Sequence, residues 1–255
     1  MNIINPIKPC VLIFIFGLLG VISIVPLVPK LLALQPESLP FSIPIIQLIS
    51  TAQLSVLLLV MVWLGAVYSK KAGLSAPVIY ALACSESVFK KLRPQVAPAL
   101  VGGIIGGILL LIFATVSSGY LPSEFLSASE KFTPPWYTKI LYGGITEEIL
   151  IRWGLMSFFT WGVYRLSQKG DSEIRNHNYV IAIIVSSLIF GVGHLPAVFA
   201  LSSEITATVV AYIILGNSAF GFIAGYLYWK RGLECAIGAH MIAHVTMIFG
   251  KTLLS

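Results

Sequence analysis

The stretch "GGITEEILIRWG", residues 143–154, places two glutamates and an arginine inside an apolar segment of the chain. A charged side chain at the centre of a bilayer costs on the order of 2.5–3.5 kcal/mol on membrane-insertion scales, and lipid offers it no polar partner. Glu147, Glu148 and Arg152 therefore have to face a protein interior or a water-filled cavity. This requirement predicts a bundle of membrane-spanning helices that encloses a polar site.

The composition of the whole chain is typical of a membrane protein. Of its 255 residues, 57% are hydrophobic and 10% are charged, whereas soluble domains average about 25% charged residues. The mean hydropathy is +0.93, and apolar runs recur from end to end. We therefore predict an all-α polytopic membrane protein, a bundle of about seven transmembrane helices with the active site between the C-terminal spans.

The apolar runs also predict how the chain is organised. The seven spans are expected near residues 9–27, 43–68, 97–117, 137–163, 179–201, 205–229 and 235–254. Residues 1–136 would supply the N-terminal spans, and residues 137–255 would form the core spans that carry the two glutamates. Residues 74–93 mix apolar and charged positions, which favours an amphipathic helix on the cytoplasmic surface, with Pro77 in its first turn.

The basic residues indicate the orientation of the chain. The second, fourth and sixth predicted loops contain Lys70, Lys71, Lys90, Lys91, Arg93, Arg165, Lys169, Arg175, Lys230 and Arg231. The loops on the other side hold only Lys30, Lys131 and the flanking Lys139. The positive-inside rule then predicts a multi-pass protein of the cell membrane with a cytoplasmic N-terminus. Short basic clusters of this kind lie along no single face, so we expect the lipid bilayer and no nucleic acid as a partner.

Three of the four histidines, His194, His240 and His244, also lie in apolar spans. His240 and His244 are four residues apart and share one face of the last span. The depths of these side chains in their spans are compatible with a single site in the membrane. A single intramembrane histidine can instead have a purely structural role, in which it is hydrogen-bonded to a backbone carbonyl or a hydroxyl.

Helical geometry separates the two glutamates. Glu148 and Arg152 are four residues apart, so they can form an ion pair on one helix face, which is also a purely structural way to bury both charges. Glu147 points about 100° away from Glu148 around the helix axis, so its carboxylate is available for a role other than this ion pair. A carboxylate beside imidazoles in a dry pocket can act as a general base for water, and imidazole N–H groups can hold an oxyanion. Such a site suits amide hydrolysis.

These residues resemble the three ordered motifs of the CPBP intramembrane proteases, which include type II CAAX prenyl endopeptidases and relatives linked to bacteriocin processing or immunity. The motifs are Glu147-Glu148-x-x-x-Arg152, Phe190-x-x-x-His194, and His240 followed four positions later by a polar residue. The match covers roughly residues 137–250. The resemblance implies that Glu147 activates water and that His194 helps to hold it. It also implies that His240 and His244 form the oxyanion site.

The resemblance gives Glu148 and Arg152 a supporting role in the geometry, and it implies that Phe190 packs one turn before His194. This sequence departs from the family where His244 replaces the usual Asn or similar small polar residue. A neutral imidazole can still donate one hydrogen bond, so the oxyanion role is retained and we expect no cofactor. Two histidines at this spacing are nevertheless common zinc ligands. The alternative zinc shell would consist of Glu147, His194, His240 and His244.

The leading functional hypothesis is an intramembrane endopeptidase that acts on a membrane-associated protein or peptide through glutamate-activated water. The alternative is a catalytically silent membrane regulator or immunity protein that binds a partner. A variant of Glu147 that keeps full cellular function would favour this binder. A third possibility is a proton-coupled transporter, since intramembrane Glu and His form proton relays. Such transporters often contain paired half-repeats with broken helices, which this sequence does not show.

Overall fold

The computed structural model of the protein describes residues 7–33, 41–168, 173–202 and 204–254. The α-helices in these ranges are α1 (Ile7–Ile24), α2 (Val28–Leu32), α3 (Ile43–Tyr68), α4 (Pro77–Ala83), α5 (Val88–Ser117), α6 (Ser123–Lys131), α7 (Trp136–Thr138), α8 (Ser157–Gln168), α9 (Asn176–Gly193), α10 (Leu195–Leu201), α11 (Ala207–Arg231) and α12 (Leu233–Leu254). Two π-helical segments, Lys139–Thr146 and Ile149–Met156, lie between α7 and α8. The predicted all-α polytopic fold is confirmed.

Six helical stretches in the described part of the chain are long and apolar enough to cross a membrane. They are Ile7–Leu32, Ile43–Tyr68, Val88–Tyr120, Asn176–Leu201, Ala207–Arg231 and Leu233–Leu253. Each of them coincides with one of the predicted spans. The remaining predicted span, residues 137–163, falls on the helical segment that runs from α7 through the two π-helical segments into α8. The total of seven spans stays a prediction.

Residues 74–93 form two helices rather than the single amphipathic helix that their composition favours. Pro77 does occupy the first turn of α4, but α4 ends at Ala83, and α5 begins only at Val88. Ser85 lies between them with a φ of 55°, a left-handed conformation through which a right-handed helix does not continue. Ile79 and Ala81 of α4 are buried, so this short helix packs into the protein.

Hydrogen bonds tie several helix ends together at one end of the bundle. Tyr179 Oη donates to the Ala72 carbonyl at 2.9 Å, and the Leu233 amide donates to the Ser75 carbonyl at 3.0 Å. The start of α9 and the start of α12 therefore meet the loop that follows α3. We call this the basic end because it carries Lys70, Lys71, Lys90, Lys91, Arg93, Arg165, Arg175, Lys230 and Arg231. The other predicted member of this set, Lys169, lies outside the described residues.

The N-terminal helices pack directly against the segment that carries the two glutamates. Thr146 Oγ1 donates to the Gly17 carbonyl of α1 at 2.7 Å, and Trp153 Nε1 donates to the Val62 carbonyl of α3 at 3.2 Å. Close approach also requires glycine, because a Cβ at Gly65 would overlap the indole of Trp153. Helices α1 and α3 thus form one wall of the bundle, against the segment that carries Glu147 and Glu148.

Candidate active site

The two glutamates lie at the junction of the two π-helical segments. Wide π-helical turns are rare and often occur at functional sites. The environments of the two side chains differ sharply, since the Glu148 side chain is fully buried and the Glu147 side chain is 16% exposed. The sequence-based expectation that they point to different sides of the helix agrees with this difference. Only Glu147 is placed to meet water or a substrate.

Glu148 is the centre of a buried ionic network. Arg152 Nε donates to Glu148 Oε2 at 3.1 Å, as the spacing of the two residues predicts. His240 Nδ1 lies 2.8 Å from Glu148 Oε1, and because an ionised carboxylate only accepts, Nδ1 is the donor. Arg152 Nη1 lies 3.5 Å from Ser186 Oγ of α9. The network therefore joins three helical segments. Glu148 binds His240 of α12 directly, and Arg152 links Glu148 to α9.

Glu147 faces His194, which lies at the junction of α9 and α10. His194 Nδ1 is 2.8 Å from the Phe190 carbonyl oxygen. A carbonyl oxygen only accepts, so Nδ1 carries the proton, and Nε2 of the neutral ring is an acceptor. His194 Nε2 lies 3.7 Å from Glu147 Oε1. This separation is too long for a direct hydrogen bond and suits a water molecule held by both groups.

His244 stacks on His240, with ring centroids 4.8 Å apart and an angle of 16° between the planes. Its Nε2 atom is buried and has no hydrogen-bond partner among the described residues. The atom lies against Gly143, where a Cβ would stand 2.5 Å from it. Gly143 is one turn before Glu147, so the unpartnered nitrogen of His244 lies beside the helix that carries the glutamate.

Phe190 connects the two halves of the site. Its ring meets the ring of His194 edge-on at a centroid distance of 4.7 Å and that of His240 at 6.1 Å. The Arg152 guanidinium carbon lies 5.7 Å from the centroid of the same ring. Phe190 therefore packs where the resemblance implies, one turn before His194, and it also contacts the buried network.

A cavity of about 190 Å³ adjoins the two stacked histidines. It lies between α5, α9, α11 and α12 and is lined by Leu110, Phe113, Ala114, Phe190, Tyr212, Ile213, Gly216, Asn217, Phe220, His240, His244 and Met247. Its walls are mainly apolar side chains. The cavity can therefore take an apolar group of a ligand and hold it next to His240 and His244.

The side chains proposed for a zinc shell are not arranged around a common point. Within the part of the chain that the structure describes, no group of three or more His, Cys, Asp and Glu side chains could hold a metal ion. The lone pair of an imidazole nitrogen lies in the plane of the ring. A bound zinc ion therefore also lies in that plane, about 2.0 Å from the nitrogen. The nearly parallel planes of His240 and His244 cannot both contain one ion, and His240 Nδ1 already binds Glu148. In this conformation the residues do not fit zinc.

Three further residues of the site were not predicted from the sequence. Ser186 binds Arg152, Gly143 makes room for His244, and Phe220 packs on His240 at a centroid distance of 4.4 Å. The position of Gly143 one turn before Glu147 was a usable signal, because close approach to a helix favours glycine. Ser186 and Phe220 carry no comparable signal, since ordinary span residues look the same in the sequence.

Comparison with known proteins agrees with the motifs. Residues 129–246 match the family model of type II CAAX prenyl endopeptidases, described as Rce1-like. The matched range contains all three motifs, and it confirms the resemblance to the CPBP proteases. No curated protein and no solved structure matches the chain. The fold defines an integral, multi-pass membrane protein. Residues 129–246 are similar to the Rce1-like proteases, and this likeness implies protease activity in general.

The buried ionic network leads to a test of stability. Arg152→Met leaves the carboxylate of Glu148 without its strongest partner, so we expect it to lower the free energy of unfolding by about 3–5 kcal/mol. Glu148→Gln combined with Arg152→Met removes both charges and should cost less than the sum of the single variants. Thermal unfolding of the detergent-solubilised protein measures both effects. Arg165→Met, at an exposed position of α8, is the matched control. Strictly additive effects would contradict a coupled network.

Proposed function

We propose that the protein is an intramembrane endopeptidase in which Glu147, without a metal, activates water to hydrolyse a peptide bond of a membrane-associated protein or peptide. The observation that carries this proposal is the separation of 3.7 Å between Glu147 Oε1 and His194 Nε2. When Glu147 is ionised and His194 is neutral, both atoms are hydrogen-bond acceptors, and both belong to side chains that retain some exposure. Water is the small ligand that satisfies two such acceptors at once.

Two donated hydrogen bonds orient the water molecule. It donates one hydrogen to Glu147 and the other to Nε2 of His194. An oxygen lone pair then remains free to point at a substrate carbonyl carbon. The hydrogen bond from Nδ1 of His194 to the Phe190 carbonyl fixes the tautomer that this arrangement requires. Glu147 takes the proton as the water oxygen attacks the carbonyl.

The stacked side chains of His240 and His244 stabilise the negative charge that develops on the oxygen of the substrate carbonyl. The buried Nε2 of His244 has no hydrogen-bond partner among the described residues, and an N–H at this position can donate to the oxyanion. His240 holds its Nδ1 proton on Glu148, so its Nε2 becomes a donor when the ring is doubly protonated. The carboxylate of Glu148 stabilises the positive charge of that ring. Glu148 and Arg152 thus act by positioning His240.

The step balances with water as the only co-reactant. The oxygen of the water forms the new bond to the carbonyl carbon, and the electron pair of the C=O bond moves to the carbonyl oxygen. When the tetrahedral intermediate collapses, this C=O bond re-forms and the C–N bond breaks. The proton held by Glu147 passes to the departing nitrogen, so the products are a carboxylic acid and an amine. Glu147 returns to its ionised state.

The cavity beside the histidines supports a substrate with a bulky apolar group near the cleaved bond. Its volume is about 190 Å³, and a cavity of ~150 Å³ lined by apolar residues is large enough to bind benzene. The cavity therefore suits a large apolar side chain of a peptide. Its walls come from helices that cross the bilayer, so such a substrate reaches it within the membrane.

The orientation of the chain follows from the basic end of the bundle. Nine of the described lysines and arginines lie there, which by the positive-inside rule faces the cytoplasm and places the N-terminus on the same side. Glu147 is eight residues from Lys139 and eighteen from Arg165, whereas His240, which binds Glu148, is seven residues from the start of α12 at the basic end. The site is thus inside the bundle. A cleft lined by Ser129, Lys139 and Lys251 reaches His244 from the end opposite to the basic end, so we infer that the site opens toward the outer face of the cell membrane.

Replacement of the proposed base gives the first functional test. Glu147→Gln removes the proton acceptor and nearly preserves the shape of the side chain, so we expect cleavage of peptides by the purified protein to fall at least 10²-fold. The melting temperature should stay close to that of the unmodified protein. Glu86→Gln, at an exposed position in the loop before α5, is the matched control.

Two further results would count against the proposal. Retention of the cellular function by Glu147→Gln at normal abundance would favour the catalytically silent regulator. Inhibition of the unmodified protein by a chelator, reversed by added zinc, would show that the reaction depends on a metal.

The orientation is tested with two cysteine variants at exposed positions in a Cys84→Ser background. Ser129→Cys lies at the end opposite to the basic end, and Glu86→Cys lies near the basic end. A membrane-impermeant maleimide should label Ser129→Cys in intact cells and Glu86→Cys only after permeabilisation. The reverse pattern would place the site on the cytoplasmic side.

A further inference from the structure

Asn217 places an amide group near the middle of an apolar membrane-spanning helix. It is the eleventh of the 25 residues of α11. Lipid offers no partner for an amide, so polar side chains in such helices face the interior of the bundle or a cavity. Asn217 follows this rule, because it lines the cavity of about 190 Å³ beside His240 and His244.

The amide of Asn217 uses only part of its hydrogen-bonding capacity. Nδ2 donates to the Ile213 carbonyl at 2.8 Å, and among the described residues this is the one hydrogen bond that the side chain makes. A side-chain amide has two N–H donors and an oxygen that accepts. One N–H and the oxygen of Asn217 are therefore available to a ligand in the cavity. Ser218 differs, since its hydroxyl donates to the Ser187 carbonyl at 2.9 Å and ties α11 to α9.

The packing of α11 sets the position of Asn217 relative to the site. Phe220, three residues later on the same helix face, packs on the His240 ring at a centroid distance of 4.4 Å. Gly191 of α9 allows a close approach, because a Cβ there would stand 2.6 Å from the Ile214 carbonyl oxygen. Since α11 is held against both α9 and α12, Asn217 is presented to the same space as the two histidines.

A peptide that enters this cavity brings N–H and C=O groups that lose their water. The walls of the cavity are mainly apolar, and an unpaired backbone polar group is unfavourable in such surroundings. In the proposed mechanism His240 and His244 bind the oxyanion, so the neighbouring peptide group needs other partners. The amide of Asn217 offers one donor and one acceptor, which complement the C=O and the N–H of a peptide group.

We propose that Asn217 is a specificity-determining residue that hydrogen-bonds a backbone peptide group of the substrate next to the cleaved bond. Consecutive peptide groups are about 3.8 Å apart, so a carbonyl at the histidines and the adjoining peptide group both reach one small cavity. This contact rests on the proposed function, which supplies the peptide. It selects against a residue without a backbone N–H, such as proline, at that position of the substrate.

The experiment measures binding, so that it does not depend on cleavage. The full-length Glu147→Gln protein is placed in nanodiscs of neutral phosphatidylcholine. Fluorescence anisotropy then reports the binding of a labelled peptide of six leucine and alanine residues with both ends blocked. Five further peptides each have one backbone amide replaced by an ester, which removes one N–H donor and leaves the side chains unchanged.

The same six peptides are measured after adding Asn217→Leu or Asn217→Ala. Asn217→Leu removes the amide and keeps a side chain of similar length, whereas Asn217→Ala adds no bulk to the cavity. The matched control is Asn176→Leu, which removes an exposed amide at the start of α9. We expect the melting temperature of Asn217→Leu to equal or exceed that of the parent protein, because the amide pairs only with a carbonyl that the helix already uses.

We expect one ester peptide to bind the parent protein about tenfold more weakly than the all-amide peptide, as the loss of a hydrogen bond in an apolar cavity predicts. This difference should fall below about twofold in Asn217→Leu and Asn217→Ala and persist in Asn176→Leu. A change of this kind couples the Asn217 side chain to one particular peptide group, since a general effect of the ester would be the same in every variant.

Three results would overturn the contact: no weakened position among the esters, no binding of any peptide, or a difference that keeps its size without the amide. If the last result came with lower melting temperatures of Asn217→Leu and Asn217→Ala, the role of the amide would be structural only. An ester difference that depends on Asn217, in a protein whose unmodified form cleaves no peptide, would leave the contact standing and refute the proposed function.

Discussion

The buried carboxylate of Glu148 is the interaction on which the rest of the site depends. It binds Arg152 on its own helical segment and His240 on α12, and Arg152 reaches Ser186 on α9. In a bilayer, each of these charges would be costly without the others, because lipid supplies no compensating partner. The network therefore specifies how three helical segments meet, and it fixes the orientation of the His240 ring as a consequence.

This arrangement gives adjacent glutamates separate tasks. Glu148 is enclosed and has both of its oxygens engaged, which makes it a positioning residue. Glu147 keeps partial exposure and faces His194 across a gap of 3.7 Å. In the proposed mechanism Glu148 neutralises Arg152, and this leaves Glu147 available to activate water. The N-terminal helices contribute by packing on the same segment, through contacts such as that of Trp153 with α3.

The sequence predicts those features that depend on spacing within one helix or on the bilayer. The pairing of Glu148 with Arg152 follows from their four-residue separation, and the apolar runs locate six of the spans. Contacts between helices are different, because they depend on crossing angles and rotations that a single sequence does not encode in its periodicity. The bond from His240 to Glu148, the Gly143 contact of His244 and the break at Ser85 are of this kind.

The central claim is that Glu147 activates water and does not itself attack the substrate. The most direct measurement is a single turnover of a cleaved peptide in water labelled with heavy oxygen, followed by mass spectrometry of both the product and the protein. The account predicts the label in the new carboxyl terminus of the product and none in the side chain of Glu147. Labelled oxygen in that side chain would reveal a covalent acyl intermediate on the glutamate and contradict the account.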